Sequence, residues 1–145
     1  METGSKFGLQ LVCGHAQMMI VHLTTHSYFS LLEGLASPQQ LVEAAARFGM
    51  PAIGLTDHNR LSGAIEFHDA CRKAGIQPLL GMDVDFLPGI EGLSNPSNPT
   101  GRLVLLAQNR QGWSNLCRLA SLLQSDPTRV NPLDQSQLEK NNAGF

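Results

Sequence analysis

The sequence is poor in charge and has no run of basic residues. Charged residues make up 15% of the chain and the formal net charge is −2, whereas about a quarter of an average domain is charged. Domains that bind nucleic acids usually concentrate Lys and Arg on one face, but the ten basic residues here are spread along the chain. The composition therefore argues against a basic nucleic-acid surface. Any contact with DNA is expected to be local, or to belong to another part of a larger protein.

Membrane-length apolar stretches and cysteine pairs at CxxC spacing are also missing. Three cysteines lie far apart along the chain, at Cys13, Cys71 and Cys117. Their odd number and spacing predict buried free thiols in a reducing compartment. Residues 1–17 have neither an apolar signal core nor a small-residue cleavage site, so no signal peptide is predicted and the protein is expected in the cytoplasm. Met18 and Met19 open the first predicted strand, which favours a native start there and a non-native leader before it.

What the sequence does contain is an alternation of strand and helix patterns. Apolar runs predict strands at 18–23, 51–56, 76–87 and 101–109. A first helix is predicted from a Ser37 cap, with Gln40 completing a capping box, as far as Gly49. Further helices are predicted over 61–74, with Ile65, Phe67 and Cys71 on its apolar positions, and over 111–123. The Gly-, Pro- and Asn-rich segment 91–101 predicts a surface loop.

This order predicts an α/β fold with a mostly parallel sheet and right-handed crossovers. The 145 residues fit a single domain that is long enough to bury a core. Four parallel-type strands with covering helices are enough for an open sheet or about half of a barrel. We assign the domain to residues 18–124, and the segment 125–145 to a tail that either begins a continuation or is weakly ordered.

Polar side chains that can bind metal ions follow three of the predicted strands. The first strand ends in HLTTHS with His26, the second in LTDHN with Asp57 and His58, and the third in GMDVD with Asp83. Because the carboxyl ends of such strands share one rim, these side chains are expected to lie together there. The loop after the first strand adds Glu33. Imidazole and carboxylate groups suit zinc, manganese or iron.

Each of these motifs also has a plainer structural interpretation. An Asp57–His58 pair after a strand is more often a turn with a helix N-cap than a ligand pair. Asp83 and Asp85 alternate with apolar residues, as on the wet face of a strand. His22 lies within the first predicted strand, where a packed or hydrogen-bonded structural histidine is expected.

Taken together, three segments resemble one family. They read VHLTTHSYFSLLEG, GMPAIGLTDHNRLSGAIEFHDACRKAGIQPLLGMDV and RLVLLAQNRQGWSNLCRLASL. From Ile20 to Leu123 they are similar, in order and spacing, to the PHP (polymerase and histidinol phosphatase) domain, in the form found at the amino terminus of bacterial DNA polymerase III alpha subunits. The resemblance implies a distorted (β/α)7 barrel, of which this chain has about the first half. It also implies a metal-binding carboxyl rim, where active members hydrolyse phosphoesters.

Carried over residue by residue, the resemblance implies an incomplete metal site. The family's first motif, His-x-His-Ser, reads TTHS here, so Thr24 stands where the first ligand is expected and His26 is the second. Glu33 falls on the following ligand position, and His58 belongs to an intact Thr-Asp-His motif. Asp83 stands in place of a longer, metal-bridging glutamate. The later motifs supply histidines, but no histidine follows His68 in this sequence.

The implied ligand set is therefore His26, Glu33, His58 and Asp83, with zinc or manganese in a partial site or no metal bound. Asp57 is expected to orient His58 or to act as a base. We interpret the chain as an amino-terminal fragment of a polymerase III alpha subunit (a DNA-directed DNA polymerase, hence a nucleotidyltransferase), with a degenerate PHP domain and a mainly structural role in DNA replication.

The expected partners are the remainder of the polymerase chain or a proofreading subunit, with DNA met only indirectly and no membrane contact. Two alternatives stay open. One is a metal-dependent phosphoesterase or 3′–5′ exonuclease, and the other is a freestanding interaction module.

Overall fold

Four helices and four strands make up the part of the chain that the computed structural model describes, which is residues 20–87, 101–125 and 132–145. In chain order they are α1 (Pro38–Arg47), β1 (Ala52–Leu55), α2 (Ala64–Ala74), β2 (Gln77–Leu87), β3 (Gly101–Leu106), α3 (Arg110–Leu123), β4 (Leu133–Asp134) and α4 (Gln135–Lys140). The predicted leader and almost all of the predicted loop over 91–101 lie outside the described residues. Across the described ranges, no helix is both long and apolar enough to cross a membrane.

The local signals for the helices are confirmed, apart from one apolar position. Ser37 caps α1, and its side chain and that of Gln40 form the predicted capping box. α2 ends at Gly75, which adopts the left-handed conformation with φ 70°. Phe67 is fully buried on α2, but Ile65 is 68% exposed, which corrects its predicted place on the apolar face. Two residues along a helix are about 200° apart around its axis, so Ile65 points away from the side that buries Phe67.

The sheet is built around β2, and one strand direction differs from the prediction. β1 pairs with the first half of β2 in parallel, from Ala52 opposite Gln77 to Leu55 opposite Leu80. β4 also runs parallel to β2. β3, however, pairs with β2 antiparallel, which corrects the expectation of four parallel-type strands. No helical pattern separates β2 from β3 in the sequence, and a parallel pair would need a crossover connection.

The first predicted strand is reduced, within the described residues, to one parallel bridge between His22 and Ile53. The His22 carbonyl accepts a hydrogen bond from the Gly54 amide at 2.7 Å, and the Thr25 carbonyl accepts one from Thr56 at 2.9 Å. A side chain at Gly54 would collide with the Leu23 carbonyl, so glycine permits this close approach. The His22 side chain is exposed, which corrects the expectation of a packed histidine, whereas a hydrogen-bonded structural role stays a prediction.

Two apolar clusters hold the layers together. One joins α1, α2, β1 and the residue directly before β2, and its buried members are Val42, Ala45, Ile53, Leu55, Phe67, Cys71 and Ile76. The other joins α3 to β2, β3 and β4, and its buried members are Met82, Val84, Leu105, Leu116, Leu119, Leu123 and Leu133. Burial raises the pKa of the Cys71 thiol to about 11. Cys117 is exposed, contrary to the prediction of a buried thiol, because it is one position off the buried stripe of α3.

We expect Ser37→Ala to lower the free energy of unfolding by about 1 kcal/mol, because the Gln40 amide in the first turn of α1 loses the Ser37 hydroxyl that accepts its hydrogen bond. Urea denaturation followed by circular dichroism measures the change. Ser62→Ala is the matched control, since Ser62 is an exposed serine before α2, and it should change stability by less than about 0.5 kcal/mol. Equal effects of the two variants would contradict the role of the capping box.

Candidate metal centre

The rim of the sheet is organised by a buried carboxylate at the end of β1. Asp57 is 1% exposed and accepts hydrogen bonds from the Ser27 amide at 2.7 Å, the Ser27 hydroxyl at 2.8 Å and the Ser30 hydroxyl at 2.8 Å. The Ser30 hydroxyl oxygen in turn accepts the His58 amide at 3.0 Å. Asp57 therefore fixes the segment 27–36, which we call the rim loop, against the end of β1. Within the described residues, the hydrogen bonds of the Asp57 carboxylate are with Ser27 and Ser30. Its predicted role as a base or as the group that orients His58 stays a prediction.

The rim loop turns sharply to present Glu33. The amides of Glu33 and Gly34 both donate to the Ser30 carbonyl at 3.0 Å. Leu32, just before Glu33, has φ 65° and is 97% exposed. A leucine in the left-handed region costs roughly 1 kcal/mol or more, so the turn is held by its hydrogen bonds and by Asp57 rather than by local preference.

The structure brings the four predicted ligands to one place. His26 lies between two carboxylates, with Nδ1 3.4 Å from Glu33 Oε2 and Nε2 3.3 Å from Asp83 Oδ2. His58 Nδ1 lies 3.1 Å from Glu33 Oε1. One atom each from His26, Glu33 and Asp83 lie within 4.8 Å of one another, a spacing at which one ion could contact all three if nothing else occupied the space between them. Thr24 lines a cavity of about 180 Å³ beside His26 and Asp83.

Asp85 and Asn59 also belong to the site, although the sequence did not single them out as functional. Asp85 Oδ1 lies 3.1 Å from His58 Nε2, and Asp85 Oδ2 accepts a hydrogen bond from Asn59 Nδ2 at 2.9 Å. Asn59 adopts a left-handed conformation with φ 54°, which asparagine tolerates better than most residues. The alternation of Asp83 and Asp85 was the available signal, because it places both carboxylates on one face of β2.

Arg102 is the third residue that the sequence did not single out, and it contacts every carboxylate of the site. Its Nη1 donates to Glu33 Oε2 at 2.9 Å and lies 3.4 Å from Asp83 Oδ2. Its Nη2 pairs with Glu33 Oε1 and is 3.1 Å from His58 Nδ1. Its Nε is 3.8 Å from Asp85 Oδ1. One guanidinium therefore contacts all three carboxylates of the site (Glu33, Asp83 and Asp85, the carboxylate cluster below).

Comparison with known protein families identifies the family to which this chain belongs. The family profile described as the PHP domain matches residues 22–145. The chain belongs to the PHP domain family. The sequence resemblance is thereby confirmed, and the fold class, a mixed α/β partial barrel, is consistent with it.

Curated relatives of this PHP domain are named DNA polymerase III subunit alpha. The DNA polymerase III subunit alpha of Buchnera aphidicola subsp. Acyrthosiphon pisum is 39% identical over 101 residues, which cover 70% of this chain and 8% of the relative. That of Borreliella burgdorferi is 36% identical over 132 residues, covering 86% of this chain and 11% of the relative. The chain thus matches only a small part of the length of these relatives.

A solved structure resembles the PHP domain in fold. An amidohydrolase from Chromobacterium violaceum, with bound sulfate and no metal, superposes with a TM-score of 0.50 at 23% identity, covering 68% of this chain and 32% of that chain. At this level of identity, the likeness concerns the fold alone.

The charges of Glu33 and Asp83 in this PHP domain are stabilised by the nearby Arg102 guanidinium. The hydrogen bond from Arg102 is the main reason that the pKa of Glu33 falls to about 2, although burial works in the opposite direction. Asp83 is 6% exposed, and its Oδ1 is buried with no hydrogen-bond partner among the described residues. Arg102 Nη1 lies 3.4 Å from Oδ2 and so compensates part of the Asp83 charge, and His26 Nε2 lies 3.3 Å from the same oxygen.

The imidazole and carboxylate groups at the rim of the PHP domain are of the kinds that bind a divalent ion. The position of the Arg102 guanidinium against the carboxylates, however, does not leave them available to one. Zinc lies about 2.0–2.2 Å from a ligating carboxylate oxygen. The oxygens of Glu33 and Asp83 that face His26 are the same atoms that contact the Arg102 guanidinium. With Arg102 in this position, the residues do not fit a metal ion.

Asp57→Ala is expected to lower the free energy of unfolding by roughly 2–4 kcal/mol, since it leaves a buried amide and two hydroxyls without their charged acceptor. Thermal and urea unfolding of the two proteins provide the measurement. Asp69→Ala removes a carboxylate that is exposed on α2 and should stay within about 0.5 kcal/mol of the parent. A loss below about 1 kcal/mol for Asp57→Ala would show that Asp57 does not organise the rim loop.

Proposed function

We propose that this chain is an amino-terminal portion of a bacterial-type DNA polymerase III alpha subunit, in which the PHP domain has a mainly structural role. It would act in DNA replication in the cytoplasm, supporting the polymerase region of its own chain or a proofreading subunit. DNA would be bound elsewhere, which agrees with the dispersed basic residues and the net charge of −2.

The length of the relatives supports a larger parent chain. This chain spans 8% and 11% of the two polymerase subunits reported above.

The rim loop also exposes Leu31, Leu32 and Leu35, at 76%, 97% and 99% respectively. Adjacent exposed leucines on a conformationally constrained loop are characteristic of a surface that another protein region covers. We assign that role to the remainder of the polymerase chain.

The main support for a non-catalytic role is that a threonine, Thr24, occupies the position of the first expected ligand. It lines the cavity beside His26 and Asp83, at the position where the family pattern has its first histidine. A neutral hydroxyl is a poor ligand in place of an imidazole. The site therefore lacks a ligand at the start of the motif and has a shortened carboxylate, Asp83, at its third strand.

A second candidate function is a metal-dependent phosphoesterase. It is favoured by the group of His26, Glu33 and Asp83, whose ligand atoms lie within 4.8 Å of one another. Under this alternative, Arg102 would have to leave the carboxylates before the site could be loaded.

We expect the chain to cleave phosphodiesters no faster than a variant without the site. The substrates are bis(p-nitrophenyl) phosphate and 5′-labelled single-stranded DNA, each with Mn²⁺ or Zn²⁺ added. The reference is the double variant His26→Ala, Asp83→Ala, which loses two of the three grouped residues. Equal rates support the structural role. Activity that the parent has and the double variant lacks would establish the phosphoesterase instead.

The size of the endogenous gene product tests the assignment to a polymerase. An antibody raised against residues 38–87 should detect, in cells that express the gene, a band far above the 15.7 kDa of this chain. Such a band identifies the chain as part of a longer polypeptide. A band at 15.7 kDa would contradict the polymerase assignment and favour the freestanding interaction module.

A further inference from the structure

We propose that the Arg102 guanidinium is the resident cation of this rim, holding the carboxylate cluster together in place of a divalent metal ion. The inference rests on the proposed structural role, because it treats the site as a support for the fold and not as a loaded catalytic centre. It goes further in naming the group that does the supporting and in predicting that Arg102 and a metal ion exclude each other.

The strand register directs Arg102 into the site. Arg102 is the direct antiparallel partner of Asp85, and Val104 is that of Asp83, so the three polar side chains share one face of the sheet. Leu103 and Leu105 point to the other face and pack in the cluster against α3. A shift by one residue would bury Arg102 and expose the leucines. The apolar core thus fixes the position of the cation.

The contacts of Arg102 are those expected of a structural counter-ion. Its two terminal nitrogens pair with both oxygens of Glu33, an arrangement that the planar guanidinium favours over the ammonium of lysine. It also reaches Asp83 at 3.4 Å and Asp85 at 3.8 Å. In this way one side chain of β3 ties the rim loop to two positions on β2.

The same contacts exclude a divalent ion. An ion held by His26, Glu33 and Asp83 would need the carboxylate oxygens that now accept from Arg102, and the two cations would repel each other at short range. Replacing Arg102 by a neutral residue should therefore have two linked effects. The carboxylates would lose their compensating charge, and they would become free to bind a metal ion.

The test compares melting temperatures of the 145-residue chain and of Arg102→Gln, with and without 1 mM Mn²⁺ or Zn²⁺. Without metal, Arg102→Gln should melt about 5 °C or more below the parent. Metal should raise the melting temperature of Arg102→Gln by about 5 °C and that of the parent by less than about 1 °C. Arg102→Lys, which keeps the charge but not the paired nitrogens, should melt between them and show no metal shift. Arg118→Gln removes an exposed arginine on α3 and should match the parent, which controls for net charge.

Three results would overturn the inference. The first is an unchanged melting temperature for Arg102→Gln without metal, and the second is the absence of any metal shift in that variant. The third is calorimetric binding of Mn²⁺ or Zn²⁺ by the parent with a micromolar Kd. Should Arg102→Gln fail to fold alone, refolding into Mn²⁺ or Zn²⁺ decides, since recovery supports the inference and failure with both metals contradicts it. The assay does not measure activity or chain length, so its failure is distinct from failure of the proposed function.

Discussion

The pairing of β2 with its neighbours is the constraint on which the rest of the structure depends. Every strand in the described sheet is hydrogen-bonded to β2, and its alternating side chains serve two purposes. Met82 and Val84 are fully buried in the cluster against α3, while Asp83 and Asp85 face the rim. Since the two sets share one backbone, the packing of the apolar pair dictates where the acids stand. The charge pattern of the site is therefore a consequence of core packing and not of local preference at the rim.

Asp57 lies at a motif position that suggests a catalytic or metal-binding residue, but its contacts in the structure are those of a structural residue. In the sequence it belongs to a Thr-Asp-His motif at a strand end, the position where a base or a ligand is expected. In the structure its carboxylate is buried and bonded by two serines of the rim loop. The motif therefore has two separate tasks, because Asp57 anchors the loop and His58 faces the carboxylates. Both tasks require the same strand to end at the same rim.

Much of the fold could be predicted from the sequence because its signals are local. The cap at Ser37, the stop at Gly75 and the polar strand ends each depend on a few neighbouring residues. Arg102 could not be found in this way, because it meets Glu33 across 69 positions of chain. Its location follows from an antiparallel register that the alternation of strands and helices did not indicate. Asp85 was visible in the sequence only as a polar residue on an exposed strand face, since its contact with His58 depends on two strands.

The kind of cation at the rim determines whether such a domain depends on the supply of metal ions in the cell. A metal ion must be acquired from the cell, and it is lost when zinc or manganese is scarce or when a chelator competes for it. A guanidinium is synthesised with the chain and stays protonated throughout the physiological pH range. If Arg102 is the cation of the rim, as proposed, that cation is in place as soon as β3 pairs with β2, whatever the supply of trace elements.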